Sequence, residues 1–182
     1  MAYNSEMMAL DRSTRSITLG AIYMLPANKA TTTTKHDCIG GSYEFAYVSK
    51  KALDILNRID KAFVPKLAQL CKSNRWYDAY CSLRKIGLKK NNLIPEHTIP
   101  CSVALRWLEA DNRRQTAKVF ESLFASSILV QCAVTKDEDR LLVNAHLNSK
   151  MPKSWDGFLN KDATFARYRE VGIEPIELTS LI

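Results

Sequence analysis

The sequence predicts an α+β fold: a single compact domain in which a small, mainly antiparallel sheet packs with three to four helices. Three observations point there. Segments of period-two and of helical hydrophobic spacing are interspersed without a regular βαβ rhythm. No glycine-rich phosphate loop marks a doubly wound sheet, and no internal repeat is visible. The 182 residues, 46% hydrophobic and 25% charged, suit one ordinary globular domain able to bury roughly two thirds of the surface its unfolded chain exposes. The expected organisation is a flexible N-terminal segment over 1–15 and one domain over 16–182.

Residues 16–25, SITLGAIYML, alternate Ile17, Leu19, Ala21, Tyr23 and Leu25 with Ser16, Thr18, Gly20, Ile22 and Met24, which suits a strand ended by Pro26. The threonine-rich, glycine-terminated run 27–42 reads as a loop. Ser49 is placed to cap an amphipathic helix carrying Leu53, Leu56, Ile59 and Phe63. Pro65 either kinks that helix or opens a second one with Leu67, Leu70 and Cys71. Ser73 or Asn74 caps a third, in which Trp76, Tyr80 and Leu83 share a face and Gly87 fits the C-terminal cap.

Segments 102–108 and 127–135 read as further strands, the second closed by an acidic turn, KDED, at 136–139; residues 141–147 are a candidate fourth strand. Toward the C-terminus, Ser154 and Asp162 start two helices, Phe165 and Tyr168 lie on one apolar face, and Gly172 caps before a last strand, IEPIELT.

The longest apolar runs are far below the ~20 residues needed to cross a bilayer, and Met1 to Ala9 lacks the features of a signal peptide. The chain is therefore expected neither to span a membrane nor to be secreted by that route. Cys38, Cys71, Cys81, Cys101 and Cys132 are odd in number and widely spaced, with no C-x-x-C pair, which argues against a disulfide framework or zinc knuckle and for a reducing compartment. His36, His97 and His146 form no H-x-x-x-H or H-E-x-x-H pattern, and the HDC run at 36–38 offers two metal ligands without a second pair. A Cys–His nucleophile pair assembled only in three dimensions stays open. The expectation is no catalytic residue, no metal and no cofactor.

Charge is the main functional signal. The net charge is +7, yet residues 50–90 hold eleven Lys or Arg against three acids, a balance of +8, and the remainder comes to −1. Within WYDAYCSLRKIGLKK, residues 76–90, two readings compete: a site, or a core helix with a solvated basic end. Three rings at helical spacing are the usual way to bury a face, so the rings are assigned to the core and the basic tail is weighed apart. A solvated helix face is the bland alternative for any one helix. Clustering of the whole surplus in one subregion favours attraction of a polyanion, either nucleic-acid phosphate or an anionic membrane surface.

The order of segments, with KDED (136–139), WDGF (155–158), FARYREVG (165–172) and IEPIEL (173–178) near the end, resembles the matrix proteins of rhabdoviruses over roughly residues 16–178. The resemblance implies a structural role: self-association, peripheral membrane binding and condensation of the viral nucleocapsid, with no active site. It implies a place in the virion beneath the envelope, and in the host cytoplasm and on its membrane surfaces. It makes Lys50, Lys51, Lys61, Lys66, Lys72, Arg84, Lys85, Lys89 and Lys90 the candidates for acidic lipid or nucleocapsid, and Met7, Met8 and Leu10 candidates for docking on a neighbouring subunit. Animal-virus members carry a lysine-rich N-terminus and a proline-tyrosine budding motif. Here MAYNSEMMALDRSTR has two arginines and two acids, and no two prolines are adjacent. The short chain fits the plant-infecting, cytorhabdovirus-type members better. The rival reading is a basic nucleic-acid-binding accessory protein, such as a viral silencing suppressor or movement factor, that uses the same helices on RNA.

Overall fold

The computed structural model describes residues 10, 11, 14, 16–19, 35, 38–86, 90–109, 121–123 and 125–182. Elements run in the order β1 (Glu44–Ser49), α1 (Lys50–Ile59), α2 (Phe63–Lys72), α3 (Trp76–Lys85), β2 (Leu93–His97), α4 (Cys101–Glu109), β3 (Val130–Thr135), α5 (Lys136–Asn144), α6 (Lys161–Thr164), α7 (Ala166–Val171) and β4 (Pro175–Glu177), closing on a 3-10 turn at Leu178–Leu181. The predicted α+β class holds. Four strands form one sheet in the order β2-β3-β1-β4; the central pair β1·β3 is parallel, and both outer pairs are antiparallel.

Helices cover both faces of this sheet. On one, α1, α2 and α3 bury Ala52, Leu56, Leu67, Ala68, Ala79 and Leu83 against Phe45, Val48 and Ala133. On the other, Leu142 of α5 and Tyr168 of α7 meet Cys132 and Val134. Alternation along β3 sends Ala133 one way and its neighbours the other. On β1 the register slips between Phe45 and Tyr47, an irregularity that puts Phe45 and Val48, three apart, on the same face and Tyr47 on the opposite one. A third cluster gathers Tyr43, Ile99 and the α4 residues Ala104, Leu105 and Leu108 with Leu19 and Ile39. Both edge strands carry a proline, Pro95 on β2 and Pro175 on β4. A proline cannot donate to an added strand, so growth by edge pairing is disfavoured.

Several sequence expectations are confirmed. Ser49 caps α1, accepting from the Ala52 N–H at 3.1 Å. Pro65 lies in the first turn of a separate helix, α2, where its missing N–H costs little. Gly172 ends α7 at φ +71°, the left-handed conformation that glycine adopts without strain. The 127–135 strand is present as β3, and the final strand narrows to β4.

Others are corrected. Residues 16–19 are helical, not extended. Asp11 accepts the Thr14 N–H at 3.0 Å, a capping geometry that outweighs the β-branched composition; residues 20–25 lie outside the described set. The loop expected over 27–42 ends in helical backbone at 38–40, and 27–34, 36 and 37 are not described. The 102–108 strand is helix α4. Cys101, Ala104, Leu105 and Leu108 repeat at helical spacing behind Pro100, whose carbonyl accepts from Val103 and Ala104.

KDED is no turn but the first turn of α5, which also absorbs most of the candidate strand at 141–147. Its missed signal is a capping box: Thr135 and Glu138 satisfy each other's backbone N–H groups. Arg75, not Ser73 or Asn74, occupies the N-cap position of α3. No helix starts at Ser154, and Asn160 rather than Asp162 caps α6. β1 and β2 are strands that the sequence reading passed over. The Gly87 cap and most of the 1–15 segment fall outside the described residues.

Candidate functional site: a basic helical layer

Helices α1, α2 and α3 share one buried interface with the sheet, so their polar sides form the outer surface of one layer. Lys50 and Lys51 of α1, Lys61 after it, Lys66 and Lys72 of α2, and Arg84 and Lys85 of α3 are all exposed, as is Lys90 before β2. Lys89 is not among the described residues. Helices adjacent in sequence thus share one layer whose exposed positions carry these cations together with the acids Asp54 and Asp60. Not every charge is equal. Lys50 pairs with Glu174 at 3.2 Å, and Arg75 with Asp78 at 2.7 Å, which neutralises two positions at the margin. Exposed pairs of this kind add little stability.

No ring of α3 is fully buried. Ala79 and Leu83 are fully buried, while Trp76 and Tyr80 pack half-buried at the edge of the same cluster. Arg84 stands 5.8 Å from the Tyr80 ring centroid, cation over ring. The rings expected in the core thus lie at its margin, because Ala79 and Leu83 take the buried positions of the helix face, while the cations are on the surface. Leu10 is half-buried against its own chain's core cluster; Met7 and Met8 lie outside the described residues.

Two buried polar nodes escaped the sequence reading. Ser49 ends β1 and Thr135 ends β3, and because these strands are parallel neighbours, two helix N-termini open side by side. One Glu138 oxygen accepts from Ser49 Oγ (2.6 Å), Thr135 Oγ1 (3.0 Å) and the Thr135 N–H (2.8 Å). Each hydroxyl accepts a helix amide in turn, from Ala52 and from Glu138 itself. The buried carboxylate sits where two helix dipoles favour negative charge.

The second node is Arg167, fully buried. It donates through Nε to Thr98 O (3.0 Å), through Nη1 to Leu147 O, and through Nη2 to both oxygens of Glu96 (3.0 and 2.8 Å) and to His97 O. Burial raises the Glu96 carboxyl above its ordinary value, with Arg167 pulling the other way. Among sequence signals, only an arginine inside the FARYREV helical pattern hinted at it.

The thiols are placed for packing. Cys38, Cys71, Cys101 and Cys132 are buried and Cys81 is half-buried. Burial, with help from Glu44 and Glu177, pushes the Cys71 thiol up to about 12; burial also raises Cys132 well above its usual value, with Glu138 and Glu96 adding to it. A thiolate nucleophile needs the opposite environment. Tyr47, beside a cavity of about 830 Å³ that Lys161, Phe165 and Glu177 also line, is raised to about 12 by burial, then by Glu177 and Cys132. Among the described residues, no group of three or more His, Cys, Asp or Glu side chains could hold a metal ion. None of their helices is long and apolar enough to cross a membrane.

These shifts set an alkaline limit. Cys71 and Tyr47 ionise near 9 and 10 in the unfolded chain but only near 12 when folded. The unfolded state therefore sheds protons first, and stability falls as pH rises from about 9 toward 12. Urea midpoints across that range should decline, and Cys71→Ala should flatten the decline; a flat wild-type profile would contradict the burial of both groups.

Compared with family models, with curated proteins and with solved structures, the chain matches none.

Proposed function

We propose that the chain is a structural, polyanion-binding protein of the viral matrix type, which self-associates, binds membrane peripherally and condenses a nucleocapsid. One observation supports the reading: within the segment that supplies the positive surplus, α1, α2 and α3 form a single layer that buries its apolar side against the sheet, with Lys50, Lys51, Lys66, Lys72, Arg84 and Lys85 exposed. Such a layer attracts phosphates by counterion release and gains no catalytic geometry. The order of elements supports the proposal less than the charge does, because 16–19 and 101–109 are helical where the likeness drew strands. Self-association would proceed through side-chain surfaces, the sheet edges being blunted by Pro95 and Pro175.

The test is a variant with Lys61, Lys66, Lys72 and Lys85 changed to Gln. All four are exposed, so folding should be unaffected. At low salt its affinity for single-stranded RNA should drop about a hundredfold. Wild-type affinity for both RNA and phosphatidylserine vesicles in this variant would refute the reading. RNA binding without vesicle binding or concentration-dependent oligomers in the wild type would favour a nucleic-acid-binding accessory protein instead.

A further inference from the structure

Away from the basic helical layer, α4 and the loop after α5 enclose a groove of about 370 Å³. The helix contributes Val103, Arg106 and Trp107, which share one face at i, i+3 and i+4, and the loop contributes Lys150, Met151 and Trp155. Val103 is buried, and Trp107, Met151 and Trp155 are half-buried against the core cluster, so the space between them is walled mainly by apolar side chains. The loop wall is held in place. Trp155 donates its N–H to Pro152 O at 3.1 Å and its indole to Phe158 O at 2.8 Å. A wall fixed in advance loses little freedom when a ligand covers it.

Charge within the groove has one sign. Arg106 and Lys150 are exposed, neither pairs with a carboxylate among the described residues, and no acid lines the space. Arg106 Nε donates to Ser102 O at 3.1 Å. The acids of the loop belong elsewhere: Asp156 and Asp162 border a separate cavity of about 140 Å³ together with Arg169, and Asp156 accepts from the Phe158 N–H (2.9 Å) and from Asn160 (3.2 Å). A broad lipid surface would meet Asp156 as well as the cations, whereas a ligand seated in the groove meets the cations alone. Trp, Met and Arg are the side chains enriched where proteins dock, with an apolar centre and a charged rim. A platform for stacked bases would instead present open ring faces, and here both indoles pack against the core.

We infer that this groove docks an acidic peptide segment of a partner protein: a large apolar side chain enters between Trp107, Met151 and Trp155, and a neighbouring carboxylate pairs with Arg106 and Lys150. The inference goes beyond the proposed function and does not rest on it, because its cations lie outside the α1–α3 layer and its ligand is protein, not phosphate.

The test is selection of a random peptide library displayed on phage against the full chain, followed by titration of the selected peptides into a Trp76→Phe variant, whose only tryptophans are Trp107 and Trp155. Selected sequences should carry a large apolar residue beside Asp or Glu, and binding should move the tryptophan emission to shorter wavelength. Arg106→Gln with Lys150→Gln, both exposed positions, should weaken binding about tenfold while melting temperature and RNA affinity stay unchanged. No enrichment of acidic, apolar sequences, an unmoved emission, or equal binding by the double variant would each overturn the inference and leave the reading of the α1–α3 layer standing. A matching fall in affinity for RNA or phosphatidylserine vesicles in the double variant would also overturn it, assigning the groove to a polyanion. Loss of concentration-dependent oligomers in that variant would overturn it in favour of a second copy of this chain as the occupant.

Discussion

Arg167→Ala is expected to cost about 3–5 kcal/mol of stability, the range for removing one partner of a buried ion pair. The guanidinium is fully buried and ties α7 to two other chain segments: the end of β2, through the Glu96 carboxylate and the carbonyls of His97 and Thr98, and the carbonyl of Leu147 after α5. Truncation leaves those carbonyls without their donor and Glu96 without its cation. Tyr168 Oη, 3.4 Å from Glu96, is too weak a donor to replace it. The unpaired carboxylate accounts for a large share of the cost, so adding Glu96→Gln to Arg167→Ala should recover part of it, a coupling that a double-mutant cycle reads directly. Urea midpoints measure both. A loss under about 1 kcal/mol for Arg167→Ala would mean that α7 is held to the sheet by Tyr168 and Ile173 packing alone.

Glu138→Ala should cost about 2–4 kcal/mol, because it strips acceptors from two hydroxyls and one backbone amide at once. The loss should exceed that of Ser49→Ala, which removes only the α1 cap and one of the three bonds to the carboxylate. Glu138→Gln, which keeps an acceptor oxygen but no charge at the two helix N-termini, should fall between them. Hydrogen exchange would locate the damage: first-turn amides of both α1 and α5 should lose protection together in Glu138→Ala. Loosening confined to α5 would show that the carboxylate caps its own helix and does not bridge the parallel strands.

What the sequence reveals and hides follows from the range of each interaction. The helices α1 to α3 are legible because their signals are local: Ser49 three residues before Ala52, apolar positions at helical spacing, Pro65 within a first turn. The charge segregation is legible too, since the cationic segment folds on itself into one layer. The misread elements share another cause. Alternating side chains in SVALRWL and β-branched residues in SITL resemble strands until Pro100 and Asp11 are weighed as helix starts. TKDE is a capping box, read as a turn because its acids suit both. β2 was masked by its proline, which an edge strand tolerates. Neither buried node was legible, because Ser49 and Glu138 are 89 residues apart in sequence and Glu96 and Arg167 are 71 apart. Only the parallel pairing of β1 with β3, and the docking of α7, create those contacts.

The charge of the α1–α3 layer is tested most directly by the salt dependence of RNA binding. For single strands the logarithm of affinity falls with the logarithm of salt concentration by ~0.7 per neutralised phosphate. Wild-type protein should show a steep linear decline, and changing Lys61, Lys66, Lys72 and Lys85 to Gln should reduce the slope by roughly 3. Equal slopes for the two proteins would contradict the account, placing RNA contact elsewhere on the molecule.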